Sequence, residues 1–391
     1  MCVIVHVSKN LSPLNAPQRS VNVGIVLPYL KAGGTERQAR YIARHLRGSG
    51  HRVTLIVAEK KGIFAENVDG EPVFLNVPFN KTAAPLFVYR LARTITGANF
   101  DLLLSRAWNT NMVTAAAGLL TRTPYVLFLS GPSSRRGQPR LKLWVEGFFL
   151  RRAARILAVS EGAKENCVRA YDLPRSLVKV VHNGIEVDDI QRLADEHSEH
   201  VQRFDEDVLN VVFVGRINHR KGLDIFLRAL HQVKETVPRV KAWVVGTGDV
   251  ETYRQLADDL GVRNRVEFLG EKENPFPEMK QADIFVVPSR SEGFPNVLLE
   301  AMALGRPVLA ANCETGPNEI LDGMNGRLFP VEDAGALARH IEDLSWREDT
   351  RREMGARAQE TVRRDFRLER QLAKMEDILL QAVQPADNNR E

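Results

Sequence analysis

Leu209-Asn210-Val211-Val212-Phe213-Val214-Gly215-Arg216-Ile217-Asn218-His219-Arg220-Lys221-Gly222 is an apolar run that ends in a basic loop bracketed by glycines. A continuous apolar run bounded by turn residues suits a strand buried on both faces. Downstream the same alternation repeats. Helices are predicted over 222–236, 250–260, 275–281 and 295–304, with strands over 240–245, 265–268, 283–287 and 307–310. Upstream, strands are predicted over 21–27, 53–57, 73–77, 101–104, 125–129, 156–159 and 178–181. Ala39, Ile42, Ala43 and Leu46 mark one helix face at spacings of three and four, and further helices are predicted over 83–97, 109–120 and 140–153. Strands alternating with amphipathic helices argue for doubly wound parallel sheets, and the restart at residue 209 argues for two of them.

Between the two series the pattern breaks. Residues 186–208 carry Asp188, Asp189, Asp195, Glu196, Glu199, Asp205, Glu206 and Asp207 with few apolar positions, and they are read as a linker. The expected division is a leader over 1–20, a first domain over 21–185, the linker, a second domain over 209–360, and a segment over 361–391 holding a last helix and a tail. Residues 333–345 and 347–382 read as helical, and no period of 20–50 residues points to a repeat array.

A chain of 391 residues accommodates two domains of about 150–200 residues each. Hydrophobic residues make up 44% and charged residues 26%, which excludes a disordered or fibrous chain. Mean hydropathy is −0.24, and no apolar run reaches the roughly 18–20 residues of a membrane span. The apolar start at Met1 has no basic flank or cleavage signal, so export is not expected. Cys2, Cys167 and Cys313 have no metal-binding spacing and suit a reducing compartment. Charge is unevenly divided. Residues 1–190 hold 26 Lys and Arg against 13 Asp and Glu, a net +13, whereas residues 191–391 hold 28 against 36, a net −8. Two halves of opposite sign suggest surfaces with different partners.

Ligands of open parallel sheets sit at the carboxyl ends of the strands, so the residues just after each strand are the candidates. Gly33 and Gly34 follow the first strand and open a helix, where backbone approach and free amides favour an anion. Arg216 and Lys221 flank the loop after 209–214 and suit a diphosphate clamp. Gly246-Thr247-Gly248-Asp249-Val250-Glu251 begins like a dinucleotide fingerprint, but Glu251 replaces its third glycine, which argues against nicotinamide or flavin. After 283–287 comes Pro288-Ser289-Arg290-Ser291-Glu292-Gly293-Phe294-Pro295-Asn296-Val297-Leu298-Leu299-Glu300-Ala301-Met302. Pro295 suits the first turn of a helix. Free amides around Phe294 to Val297 are placed to meet phosphate or sugar oxygens, and Glu300 to accept two bonds from a ribose diol. A capping role for Glu292 and a solvated helix position for Glu300 are the alternatives.

Glu292 and Glu300, with seven residues between them in this setting, resemble the signature of family-4 retaining glycosyltransferases of the GT-B fold. Gly33-Gly34-Thr35-Glu36, Asn183-Gly184-Ile185, Gly215-Arg216 with Lys221-Gly222, Gly246 with Gly248, Gly305-Arg306-Pro307-Val308, Gly316-Pro317-Asn318-Glu319-Ile320 and Asn325-Gly326 follow in the matching order. The resemblance covers roughly residues 21–380. It implies two Rossmann-like domains facing a central cleft, with a nucleotide-sugar donor held mainly by the second and a last helix crossing back to the first. It further implies that Arg216 and Lys221 hold the donor diphosphate, and that Glu300 takes the ribose. Glu292 and the backbone over 293–297 are implied to meet the transferred sugar and phosphates, with Gly34 closing from the other domain. Arg216, Lys221 and Glu292 are the catalytic candidates. The family commonly carries a His where Ser130 stands here, so Ser130, Gly131 and Gly33 are the acceptor-side candidates. No metal and no cofactor are expected, because Arg216 and Lys221 can replace a metal at the diphosphate.

Residues 135–155 contain seven basic residues and one acid, with Leu141, Trp144, Val145 and Phe148 at helical spacing. A basic helix with aromatics suits an anionic membrane surface, and a core-facing helix with a solvated basic face is the alternative. The resulting expectation is a cytoplasmic enzyme, peripheral on the inner face of the membrane. It moves a hexose or N-acetylhexosamine from a UDP-sugar to a lipid-linked saccharide or lipopolysaccharide-type acceptor. No nucleic-acid recognition motif is seen. A catalytically silent nucleotide-sugar-binding protein and a nucleotide-sugar isomerase of the same fold are the alternatives.

Overall fold

The structure is a computed structural model, and it describes residues 20–30, 34–61, 70–80, 82–106, 108–129, 139–196, 202–205 and 207–383, with only the backbone described at 34–36 and 109. The first sheet contains β1 (Asn22–Leu27), β2 (Arg52–Val57), β3 (Val73–Phe74), β4 (Leu102–Ser105), β5 (Tyr125–Leu129), β6 (Arg155–Ala158) and β7 (Val178–Val180), in the order β3-β2-β1-β4-β5-β6-β7. Its helices are α1 (Gly34–Gly48), α2 (Ala84–Ala98), α3 (Trp108–Thr121), α4 (Arg140–Leu150) and α5 (Glu161–Tyr171), followed by α6 (Val187–Ala194).

The second sheet contains β8 (Leu209–Val214), β9 (Val240–Val245), β10 (Val266–Gly270), β11 (Ile284–Val287), β12 (Val308–Ala311) and β13 (Arg327–Phe329), in the order β10-β9-β8-β11-β12-β13. Its helices are α7 (Leu223–Val233), α8 (Val250–Asp259), α9 (Phe276–Lys280), α10 (Asn296–Ala303), α11 (Pro317–Ile320), α12 (Ala334–Ser345) and α13 (Glu348–Asp365), and α14 (Leu368–Val383) ends the described chain. The named strands pair in parallel throughout, for example Val211 between Ala242 and Ile284.

The continuous apolar strands are explained by helices on both faces of each sheet. Val211 and Phe213 of β8 face a core shared with Leu227, Leu230 and Ile341, while Val212 faces the opposite core with Phe285, Leu298 and Met302. That second core is continuous with the core of the first sheet. Fully burying one such side chain stabilises by about 1.5–3 kcal/mol. Both sheets reverse strand order beside their first strand, between β1 and β4 and between β8 and β11. The loops that follow these four strands therefore converge on the face where ligands of such sheets bind.

Two long segments depart from the sequence reading. The acidic linker contains α6, whose Val187, Ile190 and Ala194 are buried and which packs against α9 and α10. Further along, Phe204 stacks on Trp243 at 4.0 Å and its N–H donates to Gln281 Oε1. The helix expected over 347–382 is broken at Phe366 and Arg367. There the chain runs beside the earlier crossing: Ile185 N–H donates to the Phe366 carbonyl, and Leu368 N–H to the Ile185 carbonyl, both at 3.0 Å. α13 stays with the second domain, against α10 and α12, so the return to the first domain starts at α14 rather than at residue 361. α14 lies on α1, β4 and β6, where Glu376 engages His45 (2.8 Å), His51 (2.9 Å) and Ser49 Oγ (3.0 Å). His51 thus serves the fold. The leader expected over 1–20 lies, but for Ser20, outside the described residues.

Candidate active site

Two glycines shape the loops after β8 and β9. Gly246 has φ +138, and a Cβ there would fall 2.0 Å from the Gly215 carbonyl oxygen. Gly222 has φ +70, and a Cβ would fall 2.0 Å from the Pro288 carbonyl oxygen, so only glycine brings this loop against the β11 loop. Asn218 caps the intervening turn by accepting from Lys221 N–H at 3.1 Å. The turn aims the lysine at Glu292. Lys221 Nζ lies 2.6 Å from Glu292 Oε1, and Ser289 Oγ donates to the same oxygen at 2.7 Å. Arg220 Nη1 reaches Oε2 at 3.2 Å and the Ser291 carbonyl at 2.9 Å. The Glu292 side chain is 7% exposed, so its charge depends on these partners.

Neighbouring groups fix the segment that carries Glu292. Arg290 donates two bonds to Asp224 (2.8 and 2.7 Å), one to Glu332 (2.7 Å) and one to the His219 carbonyl (2.7 Å). Burial pushes the Asp224 carboxyl up, but the Arg290 hydrogen bonds and charge outweigh it and hold it below the ordinary value. Thr315 Oγ1 donates to the Glu292 carbonyl, and Cys313 Sγ to the Ser289 carbonyl. Burial, then the nearby Glu292 charge, pushes the Cys313 thiol up to about 11. This is an inert packing thiol.

Helix α10 starts one residue later than the sequence suggested, with Pro295 as its N-cap. Asn296, its first residue, accepts from Asn183 Nδ2 at 2.9 Å, and Asn183 Oδ1 lies 3.5 Å from Arg106 Nη2. Arg106 follows β4, is buried, and stacks its guanidinium 3.7 Å from the Phe128 ring centre, with burial lowering its pKa to about 9. The Phe294 side chain stacks on His182 at 4.8 Å and meets Phe366, so it packs at the joint between the domains. One turn into α10, Glu300 accepts from Arg37 Nη2 of α1 at 3.2 Å. Burial raises the Glu300 pKa, with Arg37 and Lys221 opposing. Arg37, Tyr41, Gly184, Glu186, Phe276 and Glu300 line a pocket between the domains.

The structure therefore brings Lys221, Glu292, Asn296 and Glu300 to one side of the interdomain space, with Gly293, Phe294, Pro295 and half-buried Val297 on the same segment and Gly246 on the adjoining loop. Gly34 opens α1 on the opposing side. Arg216 is exposed beside Gly215, and the arginine on Glu292 is Arg220, two residues closer to the helix than the Asn218 cap. Gly33, Ser130 and Gly131 lie outside the described residues. Arg37, Arg106, Arg220, Ser289 and Thr315 were not anticipated. Arg106 carried one signal, a charge directly after an apolar strand. Asp205 accepts from Asp207 N–H at 2.9 Å in a local turn, and among the described residues no group of three or more His, Cys, Asp or Glu is placed to hold a metal ion.

Residues 209–345 match the family model for Glycosyl transferases group 1, and residues 32–189 match that for Glycosyltransferase Family 4. The chain belongs to this glycosyltransferase family. The glycosyltransferase is 27% identical to the phosphatidyl-myo-inositol mannosyltransferase of Mycolicibacterium smegmatis, over 88% of this chain and 90% of that one. It is 34% identical to a lipopolysaccharide core biosynthesis glycosyltransferase of Rhizobium meliloti, over 39% of this chain and 44% of that one. An uncharacterised glycosyltransferase of Methanocaldococcus jannaschii is 31% identical, and the chain spans 43% of its length. Among solved structures, Anabaena HepE in complex with UDP superposes with a TM-score of 0.79 at 24% identity, covering 92% of this chain and 99% of that one. The glycosyltransferase has the GT-B fold, two Rossmann-like domains each built on a parallel sheet.

Proposed function

We propose that the enzyme is a retaining, metal-independent glycosyltransferase. It moves a hexose or N-acetylhexosamine from a nucleotide-sugar, with a UDP-sugar favoured, to a lipid-linked saccharide or lipopolysaccharide-type acceptor in cell-surface glycan biosynthesis. The observation that carries this reading is the Lys221–Glu292 pair, held by Ser289 and Arg220 at the switch point of the second sheet. Breaking the sugar–phosphate bond puts negative charge on the leaving diphosphate and positive charge on the anomeric carbon. Lys221 and exposed Arg216 meet the first charge, and Glu292 lies beside the second. Fixed cations aimed at developing charge lower the barrier without reorganisation. The acceptor oxygen bonds to the anomeric carbon, and its proton leaves with the diphosphate. Glu300 takes the ribose, exchanging Arg37 for the diol. Gly34 faces the phosphates from α1, and the N–H groups of Gly293, Phe294, Asn296 and Val297 face the sugar and phosphates.

A lipid-borne acceptor is supported by the two relatives whose names give phosphatidyl-inositol and lipopolysaccharide core as their setting. It is also supported by α4. Leu141, Trp144, Val145 and Phe148 are all exposed, whereas Glu146, Gly147 and Leu150 face inward. Buried Glu146 accepts from Trp108 Nε1 (3.0 Å) and Tyr171 Oη (2.7 Å), which fixes the helix with its aromatic side outward. The Arg152 guanidinium lies 3.7 Å above the Phe148 ring. An outward aromatic face beside arginines, in the half of the chain with net +13, suits insertion into an anionic bilayer surface. Among the described residues no helix is long and apolar enough to cross a membrane. The inner face of the cytoplasmic membrane is the location this reading favours.

The test is a thermal-shift screen of nucleotide-sugars, followed by transfer to a lipid-linked acceptor in the presence of EDTA. Transfer from one stabilising donor is the expected result. A rearranged nucleotide-sugar formed without acceptor would make the enzyme an isomerase. Donor binding with neither transfer nor hydrolysis would make it a binding protein.

A further inference from the structure

Gly316-Pro317-Asn318-Glu319 is a motif that the donor site leaves unexplained. Glu319 stands on α11 in the second domain, yet its carboxylate bonds the first. Oε2 accepts from Glu161 N–H at 2.7 Å and Oε1 from Gly162 N–H at 2.9 Å. These are the first two residues of α5, whose N-cap Ser160 accepts from Ala163 N–H at 3.1 Å. The opening amides of an eleven-residue helix are therefore satisfied partly from within and partly by a carboxylate of the other domain. Negative charge at this end of a helix is favourable. The two surfaces also touch closely, since a Cβ on Gly162 would fall 2.8 Å from both the Glu314 carbonyl oxygen and Thr315 Cγ2.

The other side of the same loop holds the reacting segment. Thr315 Oγ1 donates to the Glu292 carbonyl, and Cys313 Sγ donates to the Ser289 carbonyl. A Cβ on Gly316 would fall 2.8 Å from Pro295 Cδ, so this loop also presses on the start of α10. The domains are joined by two adjacent crossings, at Ile185 and at 366–368, which leaves rotation about that joint as the natural motion.

We propose that Glu319 is a positioning residue: by clasping the N-terminus of α5 it closes the two domains, and through Thr315 it sets Glu292 for sugar transfer. When the domains part, the carboxylate and the two amides return to water, and the loop loses its support. The role rests on the glycosyltransferase reading for its catalytic part, but the closure itself does not.

Four proteins test it: wild type, Glu319→Ala, Glu319→Gln and Thr315→Val. Each is measured by kcat and donor KM, by UDP calorimetry, by thermal unfolding, and by small-angle scattering without ligand. Glu319→Ala is expected to enlarge the radius of gyration, with a modest fall in Tm from the lost helix-end carboxylate. Its kcat is expected to fall by about 5- to 150-fold, the usual span of coupling between two sites, with UDP affinity little changed. Glu319→Gln keeps one acceptor oxygen and falls between. Thr315→Val is expected to scatter like wild type while losing kcat, which separates closure from its effect on Glu292. Wild-type scattering from Glu319→Ala, or wild-type kcat in it, overturns the proposal. If wild type itself transfers no sugar, the functional reading fails, and the scattering comparison still decides the clasp.

Discussion

Replacing Lys221 by alanine takes a cation from two partners at once. In the fold, Nζ lies 2.6 Å from Glu292 Oε1, with the two side chains 15% and 7% exposed, so the pair is nearly desolvated. Removing one member of such a pair costs about 3–5 kcal/mol. Ser289 and Arg220 remain on Glu292, which places the expected loss near the lower end, about 3 kcal/mol. For a domain of this size that lowers Tm by about 6–12 °C. On the proposed mechanism the variant also loses a cation at the leaving diphosphate, which costs about 2.7–4 kcal/mol, or about 10²–10³ in kcat. The two losses separate in the double variant Lys221→Ala/Glu292→Gln. Neutralising the stranded carboxylate restores part of the stability and none of the activity. Thermal unfolding by circular dichroism and a sugar-transfer assay read the two quantities. Sugar transfer by Lys221→Ala at the wild-type rate, or a double variant that melts no higher than the single one, would contradict these roles for Lys221.

Other expectations follow from the same geometry. Gly222→Ala forces a left-handed residue against the Pro288 carbonyl, and should lower stability by more than about 1 kcal/mol in urea unfolding. On the proposed reading a ribose diol donates to ionised Glu300, whose pKa is raised by burial. Nucleotide affinity by calorimetry should therefore be full above that raised pKa and fall by up to about tenfold per pH unit below it, and Glu300→Gln should flatten the profile. Arg37→Met removes an opposing charge and should shift the fall to higher pH. Trp144→Ser with Phe148→Ser should cut sedimentation with phosphatidylglycerol vesicles while leaving transfer to a soluble acceptor analogue unchanged. Equal sedimentation would remove α4 from the membrane account.

How far the sequence could be read depends on how local each feature is. The bounds of β5, β8 and β9 follow directly from continuous apolar runs, because those strands are buried on both faces. α5 escaped notice because only Ala163, Cys167 and Tyr171 are buried, a stripe too thin to show periodicity. α6 was hidden by its acidic surroundings, although Val187, Ile190 and Ala194 keep helical spacing. β13 is three residues long and begins with Arg327. The segment proposed to hold the donor was legible because Glu292, Asn296 and Glu300 belong to one loop and helix. Arg37 meets Glu300 across 263 residues, Arg106 meets Asn183 across 77, and Glu319 meets Glu161 across 158. No local spacing encodes such pairs. Arg220 was not singled out because its place on Glu292 depends on the Asn218 cap, which turns Arg220 and Lys221 together toward that carboxylate.

Retaining transfer at the Lys221–Glu292 site is the central element of the proposed function. The direct measurement is proton NMR of the product formed in EDTA from an α-linked nucleotide-sugar, with wild type and Lys221→Ala compared. Wild type is expected to give an α-glycoside, and the variant about 10²–10³-fold less of it. A β-glycoside, a need for added metal, or equal product from both proteins would contradict the proposed function.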